Sequence, residues 1–177
     1  MVLEALTELF AQGHYTPTSR QIADKAGLSL RSLVRYFDDF DDLIRSAIGR
    51  IEERALELVE VPVGPDHPTD GKIDAVVATR VRLFEAMAPA ARAGRVAAHR
   101  QPIVADEIGR TRSYLRRQLA QLFAPELERS GANLLPAIDV LLSFESFDLL
   151  RSAQRLSRPA TVAALTTALQ TLLHPDT

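Results

Sequence analysis

Residues 18–37 read TSRQIADKAGLSLRSLVRYF, and their spacing predicts two short helices joined by a tight turn. Thr18 and Gln21 have the spacing of a capping box, in which each residue satisfies an orphan backbone donor at a helix start. Gly27 suits the left-handed residue that ends such a helix, and Ser29 can cap the next one. These signals predict a helix-turn-helix, whose second helix has the size needed to enter the major groove of DNA.

The second helix of this pair is predicted to have one buried face and one polar face. Leu33 and Phe37 are four residues apart and should face inward. Two further pairs have the same spacing, namely Arg31 with Arg35 and Ser32 with Tyr36. Arginine, serine and tyrosine carry the donors that guanine edges and phosphates accept, so this face is a candidate for DNA contact.

Each of these side chains also has a purely structural interpretation. Arg31 and Arg35 could be ordinary solvated charges, and Tyr36 could pack at the rim of the core. Leu30 lies three residues before Leu33 and fits either core packing or contact with a thymine methyl group. The helix-turn-helix context favours DNA contact for the two arginines.

Signals on both sides of this stretch extend the pattern over residues 3–45. They are Phe10–Gly13, Thr18–Ala23, Ala26–Ser29, Leu33-x-Arg35-Tyr36-Phe37 and Asp41-x-Leu43. This combination resembles the DNA-binding domain of TetR-family transcriptional regulators. The resemblance implies a DNA-binding domain over residues 1–45 and a ligand-binding and dimerisation domain over residues 46–177. The residues assigned to DNA contact are Thr18, Ser19, Arg20, Ser29, Leu30, Arg31, Ser32, Arg35 and Tyr36.

The sequence departs from that family at the end of the second helix and beyond it. Val34 stands where members usually have an aromatic residue, and Phe40 where many have a lysine. Residues 38–42 read DDFDD, and carboxylates there suit a helix N-terminus but repel a phosphate. Capping is the favoured interpretation of this acidic cluster, with a carboxylate metal site as the alternative. Residues 1–37 carry four basic and three acidic side chains, so we expect a weak salt dependence of DNA binding.

Composition limits the classes of protein to which the chain can belong. It has 177 residues, of which 46% are hydrophobic and 25% charged, with a net charge of −2, as expected for a globular protein. The absence of cysteine excludes disulfides and cysteine-ligated zinc. No apolar run has the roughly 18 to 20 residues of a membrane span, and Glu4 and Glu8 do not fit a secretory signal. We therefore expect a cytoplasmic protein without membrane contact.

The remaining apolar spacing is helical throughout, which predicts an all-α fold of about nine helices. A loop rich in proline and glycine, residues 61–71, separates the N-terminal segment from the rest. Predicted helices after that loop are Ile73–Met87, ending near Pro89, a short Ala90–His99, Pro102–Phe123, Asn133–Leu156 with Asn133 as its cap, and a last helix capped by Ser157 and ending near Leu173.

The resemblance further implies a ligand-responsive repressor that binds double-stranded palindromic DNA as a homodimer. Candidate ligand contacts, chosen by apolar or polar-aromatic character in the middle helices, are Arg80, Phe84, Met87, His99, Tyr114, Phe144 and Phe147. Candidate dimer contacts, chosen by helical stripe spacing, are Ile138, Leu142, Leu149, Val162, Leu165, Leu169 and Leu172. The alternative for this stripe is packing within the monomer core.

Enzymatic function receives no support from motifs. The sequence has no G-x-S-x-G, no phosphate-binding glycine loop and no H-E-x-x-H, and its four histidines are scattered, so we predict neither cofactor nor metal. Two competing hypotheses stay open. One is a small-molecule-binding protein with a degenerate DNA head, and the other is a helical-bundle enzyme with buried carboxylates such as Glu107 and Glu145.

Overall fold

The computed structural model describes residues 1–37, 39–130 and 133–174, apart from the side chains of Phe40 and Ser130, and within them it contains helices and no β-strand. The all-α prediction is confirmed. Ten α-helices and one π-helical turn occupy the described ranges, where about nine helices were predicted. They are α1 (Val2–Ala11), α2 (Ser19–Lys25), α3 (Leu30–Tyr36), α4 (Phe40–Leu56), α5 (Thr69–Ala97), α6 (Pro102–Leu122), α7 (Ala124–Ser130), α8 (Leu134–Leu141), α9 (Phe144–Asp148), the π-helical turn (Leu149–Ala153) and α10 (Arg158–Leu173).

The chain divides into two compact units. The first unit comprises Met1–Glu57 and Ala86–Arg110, and the second comprises Leu58–Glu85 and Thr111–Thr177. Helices α5 and α6 therefore each contribute residues to both units. The domain boundary predicted between residues 45 and 46 falls inside α4 and stays a prediction about function.

The local signals of the first unit form the helix ends that were predicted. Thr18 Oγ1 accepts a hydrogen bond from the Gln21 backbone N–H at 3.3 Å, and the Thr18 N–H donates to Gln21 Oε1 at 2.8 Å. Gly27 has φ +68°, the left-handed conformation that favours glycine, and Ser29 Oγ accepts from the Ser32 N–H at 3.0 Å. The capping box, the turn and the second cap fix the start of α2 and of α3.

A single apolar cluster holds α1 to α4 of the first unit together. Leu33 of α3 is only 4% exposed, and Phe37 packs at the edge of the cluster, so the predicted inward face of α3 is confirmed. The other buried members are Val2, Leu6, Leu9, Ile22, Ala23 and Leu43.

The prediction that one helix ends near Pro89 and a second follows it is wrong. Helix α5 runs unbroken for 29 residues with Pro89 inside it. An interior proline removes one backbone hydrogen bond and costs about 3 kcal/mol or more. Phe84, Ala88 and Ala93 are buried on both sides of it, and burial of several such side chains offsets a loss of that size. Tertiary packing therefore overrides the local signal.

The long helix predicted for residues 133–156 is also wrong, because it is broken near its middle. The Asn133 side chain makes no cap hydrogen bond. Ser143 Oγ accepts from the Ser146 N–H at 3.2 Å and donates to the Val140 carbonyl at 2.7 Å. A serine hydroxyl that satisfies the backbone in this way competes with continuation of the helix. A new helix, α9, begins at Phe144 and continues into the π-helical turn.

A buried ion pair in the second unit was not predicted. Lys72 Nζ lies 2.6 Å from Glu126 Oε1, and both side chains are almost fully buried. Lys72 also donates to the Pro65 carbonyl at 2.9 Å, and Thr69 Oγ1 donates to Glu126 at 2.7 Å. Burial opposes ionisation of Glu126, but the hydrogen bonds from Lys72 and Thr69 outweigh it, so the pKa of Glu126 lies below its ordinary value.

We predict that Lys72→Met lowers the free energy of unfolding by about 3–5 kcal/mol, because it leaves Glu126 buried without a cation. The matched control is Lys25→Met, which breaks the Lys25–Glu8 pair at the surface and should cost less than about 1 kcal/mol. Urea denaturation measures both. The double variant Lys72→Met/Glu126→Leu should recover most of the loss, and equal effects of the two single variants would contradict this account.

We predict that the contribution of Glu126 depends on pH with a defined sign. A carboxyl whose pKa is lowered by folding stabilises the protein above its unfolded pKa, near 4.3, and loses that contribution as the pH falls through the folded pKa. The stability difference between the wild type and Glu126→Gln should therefore be full at pH 7 and shrink below about pH 4. Urea titrations at several pH values measure it, and a pH-independent difference would contradict the prediction.

Candidate nucleic-acid interface

The outward face of α3 combines cationic, phenolic and apolar groups. Arg31 and Arg35 are exposed, and Tyr36 is 57% exposed. Leu30 and Val34 are 43% and 64% exposed. Leu33 on the opposite side is buried in the apolar cluster, so α3 packs on the core through Leu33 while these five side chains point away from the core. Within the described residues, no hydrogen bond or ion pair occupies either arginine or the tyrosine.

The serine and threonine residues assigned to DNA contact are partly used by the fold. The Thr18 hydroxyl lies 2.9 Å from Gln21 Oε1 and also accepts the backbone bond of its cap. Ser29 Oγ and Ser32 Oγ lie 2.9 Å from each other. These hydroxyls set the helix ends, whereas no described side chain pairs with the donors of Arg31 or Arg35. Ser19 is half-buried and Arg20 exposed on the first turn of α2.

The acidic cluster at the start of α4 has a capping function. Asp39 Oδ1 accepts the backbone N–H of Asp42 at 2.7 Å, and Asp41 is exposed in the first turn. Asp38 and the side chain of Phe40 lie outside the described residues. Carboxylates in the first turn stabilise a helix through its dipole, so the described members of the cluster support the capping interpretation.

Three residues predicted to bind a ligand lie together in a packed aromatic cluster of the second unit, and their ligand contact stays a prediction. The ring centroids of Phe84 lie 5.7 Å from those of both Phe144 and Phe147, which are 6.1 Å apart. All three rings are buried. They were chosen by residue type, and the structure uses that type to fill the core.

Arg80, a fourth predicted ligand contact, is fully buried in the second unit with 1% exposure. Nη2 donates to the Leu115 carbonyl at 3.1 Å, while Nε and Nη1 have no partner in the described part of the chain. Burial lowers the pKa of Arg80 to about 10, against the opposing effect of Asp139 and Tyr114. The guanidinium therefore stays cationic at neutral pH. Tyr114 itself is exposed.

A separate cavity of about 560 Å³ lies wholly within the first unit. Its walls come from α1, the loop after it, α2, α4, the end of α5, the segment between α5 and α6, and the start of α6. Of the seven predicted ligand contacts only His99 lines it, and Met87 belongs to the same unit without reaching it. No motif marks these residues, because a cavity is made by residues distant in sequence.

Four residues predicted to form a dimer interface serve the core of this chain. Ile138 and Leu142 are buried, as are Leu165 and Leu169 of α10, which packs against α8. This is the monomer-core alternative, and it follows because a helical stripe has the same spacing in either role. The other three predicted residues reach the surface: Leu149 is exposed, and Val162 and Leu172 are half-buried.

Comparison with known proteins places the fold. Within the described residues no helix is both long and apolar enough to cross a membrane. No protein-family model matches the chain, and no curated protein matches it significantly. A crystal structure of a transcriptional regulator from Rhodococcus sp. Rha1 superimposes with a TM-score of 0.74 at 20% sequence identity, over 98% of this chain and 95% of that chain. The chain therefore has the same fold as that transcriptional regulator.

Proposed function

We propose that the chain is a DNA-binding transcriptional regulator of the TetR type and not an enzyme. The observation that carries the proposal is the outward face of α3, where Arg31, Arg35 and Tyr36 are exposed above the buried Leu33. The fold shared with a transcriptional regulator supports it. In this proposal α3 enters the major groove and α2 lies across the backbone, as in other helix-turn-helix proteins.

The chemistry of the face matches the edges of duplex DNA. A guanidinium can donate two hydrogen bonds to guanine O6 and N7, which is the commonest specific contact in the major groove. We assign this function to Arg31 near the start of α3, and phosphate contact to Arg35 and Tyr36 near its end. The exposed Leu30 and Val34 suit thymine methyl groups, which gives a reason for apolar side chains on a polar face.

The proposal extends to a cytoplasmic homodimer that reads a palindrome and acts as a ligand-responsive repressor. One seven-residue helix reads few base pairs, so two copies related by a dyad are needed for a specific site. The exposed Leu149 and Val140 of the second unit are available for such an interface. A small molecule that binds the DNA-free conformation more tightly than the DNA-bound conformation lowers operator occupancy, and the difference between the two affinities limits the size of the effect.

The competing hypotheses lead to different observations. A degenerate DNA head, motivated by the acidic start of α4, predicts no specific complex in a genome-wide DNA pull-down. The helical-bundle enzyme required buried carboxylates, but Glu145 is exposed and hydrogen-bonded to Arg112. No group of three metal-binding side chains lies within the described ranges. Glu107, the other carboxylate of that hypothesis, has a side chain only 14% exposed and paired with Arg110, so the hypothesis keeps one of its two buried carboxylates.

We predict that Arg31→Ala weakens binding to the DNA recovered in that pull-down by about 1–3 kcal/mol, with a smaller effect on random DNA. Arg117→Ala is the control, because Arg117 is an exposed arginine in the second unit and should leave both affinities unchanged. Fluorescence anisotropy measures the six affinities, those of the wild type and of both variants for specific and for random DNA. Equal losses on specific and random DNA would show that Arg31 contacts only the backbone.

We predict that Arg35→Ala makes the salt dependence of binding shallower. Each neutralised phosphate contributes about 0.9 to the slope of log K against log salt, so a dimer should lose about 1.8. Tyr36→Phe removes a neutral donor and should weaken binding without changing the slope. Anisotropy titrations at several salt concentrations between about 50 and 200 mM measure the slopes. An unchanged slope in Arg35→Ala would remove this arginine from the backbone contacts.

A further inference from the structure

The cavity of the first unit has the size and lining of a small-molecule site. Its volume of about 560 Å³ falls inside the range of roughly 300–1,000 Å³ found for pockets that hold drug-sized ligands. Most of its wall is aliphatic or aromatic, with Phe10 of α1, Ile48 and Ile51 of α4, and Val96 of α5 among the larger side chains. An apolar wall of this kind gains dispersion contacts and loses exposed area when an apolar molecule enters.

One part of the wall is polar and cationic. Arg100, with His99 and Gln101 beside it, lies in the segment between α5 and α6, and Tyr15 and Thr16 lie in the loop after α1. Among the described residues that line the cavity none is acidic. The wall is mostly apolar, and its arginine can form a charge-assisted hydrogen bond with an anion while no carboxylate of the described lining repels it. The site therefore favours a ligand that has an apolar part and a negatively charged group.

We propose that this cavity binds an amphipathic organic anion, a molecule with an apolar ring system or chain and one carboxylate or sulfonate group. The apolar part lies between α1, α4 and the end of α5, and the anionic group lies beside Arg100. This site is distinct from the residues of the second unit that the sequence indicated, because those residues fill the core or line no part of this cavity.

The same side chains connect the cavity to α3. Leu6, Ile22 and Leu43 line the cavity and also belong to the apolar cluster that buries Leu33. A ligand that displaces any of them changes the surface on which α3 rests. Resting on the proposed function, this makes the cavity an effector site whose occupancy alters DNA affinity through side chains of a single compact unit.

The probe is 1-anilinonaphthalene-8-sulfonate, a fluorescent molecule with the predicted apolar body and sulfonate. N-phenyl-1-naphthylamine has the same ring system without the charge and serves as the neutral comparison. Fluorescence titration of the full chain without DNA should give one saturable site that binds the sulfonate more tightly than the neutral molecule. Equal affinity for the two probes would overturn the anionic part of the proposal.

Two pairs of variants locate the site. Ala90 lines the cavity and its neighbour Ala91 does not, while both are half-buried in α5. Ala90→Trp should weaken sulfonate binding about ten-fold or more, and Ala91→Trp should not. Arg100→Gln should weaken the sulfonate and leave the neutral probe unchanged, whereas Arg54→Gln, an exposed arginine outside the lining, should change neither. Circular dichroism of each variant verifies that it folds.

The outcomes separate the site from the proposed function. Unchanged sulfonate binding in folded Ala90→Trp, or several equivalent sites in the wild type, would overturn the site itself. If the probe binds as expected and also lowers affinity for the DNA recovered by pull-down in the wild type but not in Ala90→Trp, the connection to α3 is supported. If the probe binds as expected but DNA affinity does not change, the connection to α3 is overturned and the site stands. If the wild type binds no DNA even without the probe, only the proposed function is contradicted.

Discussion

Burial of Leu33 is the constraint on which the DNA-facing side of this molecule depends. Leu33, with Phe37 at the edge of the same cluster, holds in place a seven-residue helix that is too short to be stable in isolation. Its partners come from α1, α2 and α4, so the whole first unit holds the helix in place. Because Leu33 faces the core, the helical spacing places Arg31, Arg35 and Tyr36 on the outward side of α3. The exposed face is therefore a consequence of the core and not an independent feature.

Local signals in the sequence were sufficient for the helix-turn-helix. The Thr18 capping box, the Gly27 turn and the Ser29 cap each act within four residues, so neighbouring residue types determine them. The continuation of α5 through Pro89 could not be predicted in the same way, because side chains far along the chain stabilise it. The Lys72–Glu126 pair joins residues 54 apart, and no spacing rule relates them.

The candidate ligand and dimer residues show the same limit at the level of function. Residue type and helical spacing selected Phe84 and Phe144 as ligand contacts and Leu165 and Leu169 as dimer contacts, and all four are buried within the chain. The chain's own core takes all four. The cavity of the first unit is a space between side chains that are far apart in the sequence, so no local pattern of residue types indicates it. Only His99 was common to the prediction and the cavity.

The distribution of lysine has a practical consequence for work on this protein. Arginine supplies nearly all of its positive charge, and Lys25 and Lys72 are its two lysines. Lys72 is enclosed with Glu126, while the Lys25 side chain is 29% exposed on α2. Amine-reactive dyes and coupling resins therefore find one accessible lysine side chain, which belongs to the helix-turn-helix, besides the exposed α-amino group of Met1. A biosensor surface prepared by lysine coupling would tether the chain by the helix next to α3 and obstruct DNA, so immobilisation calls for an engineered tag placed elsewhere.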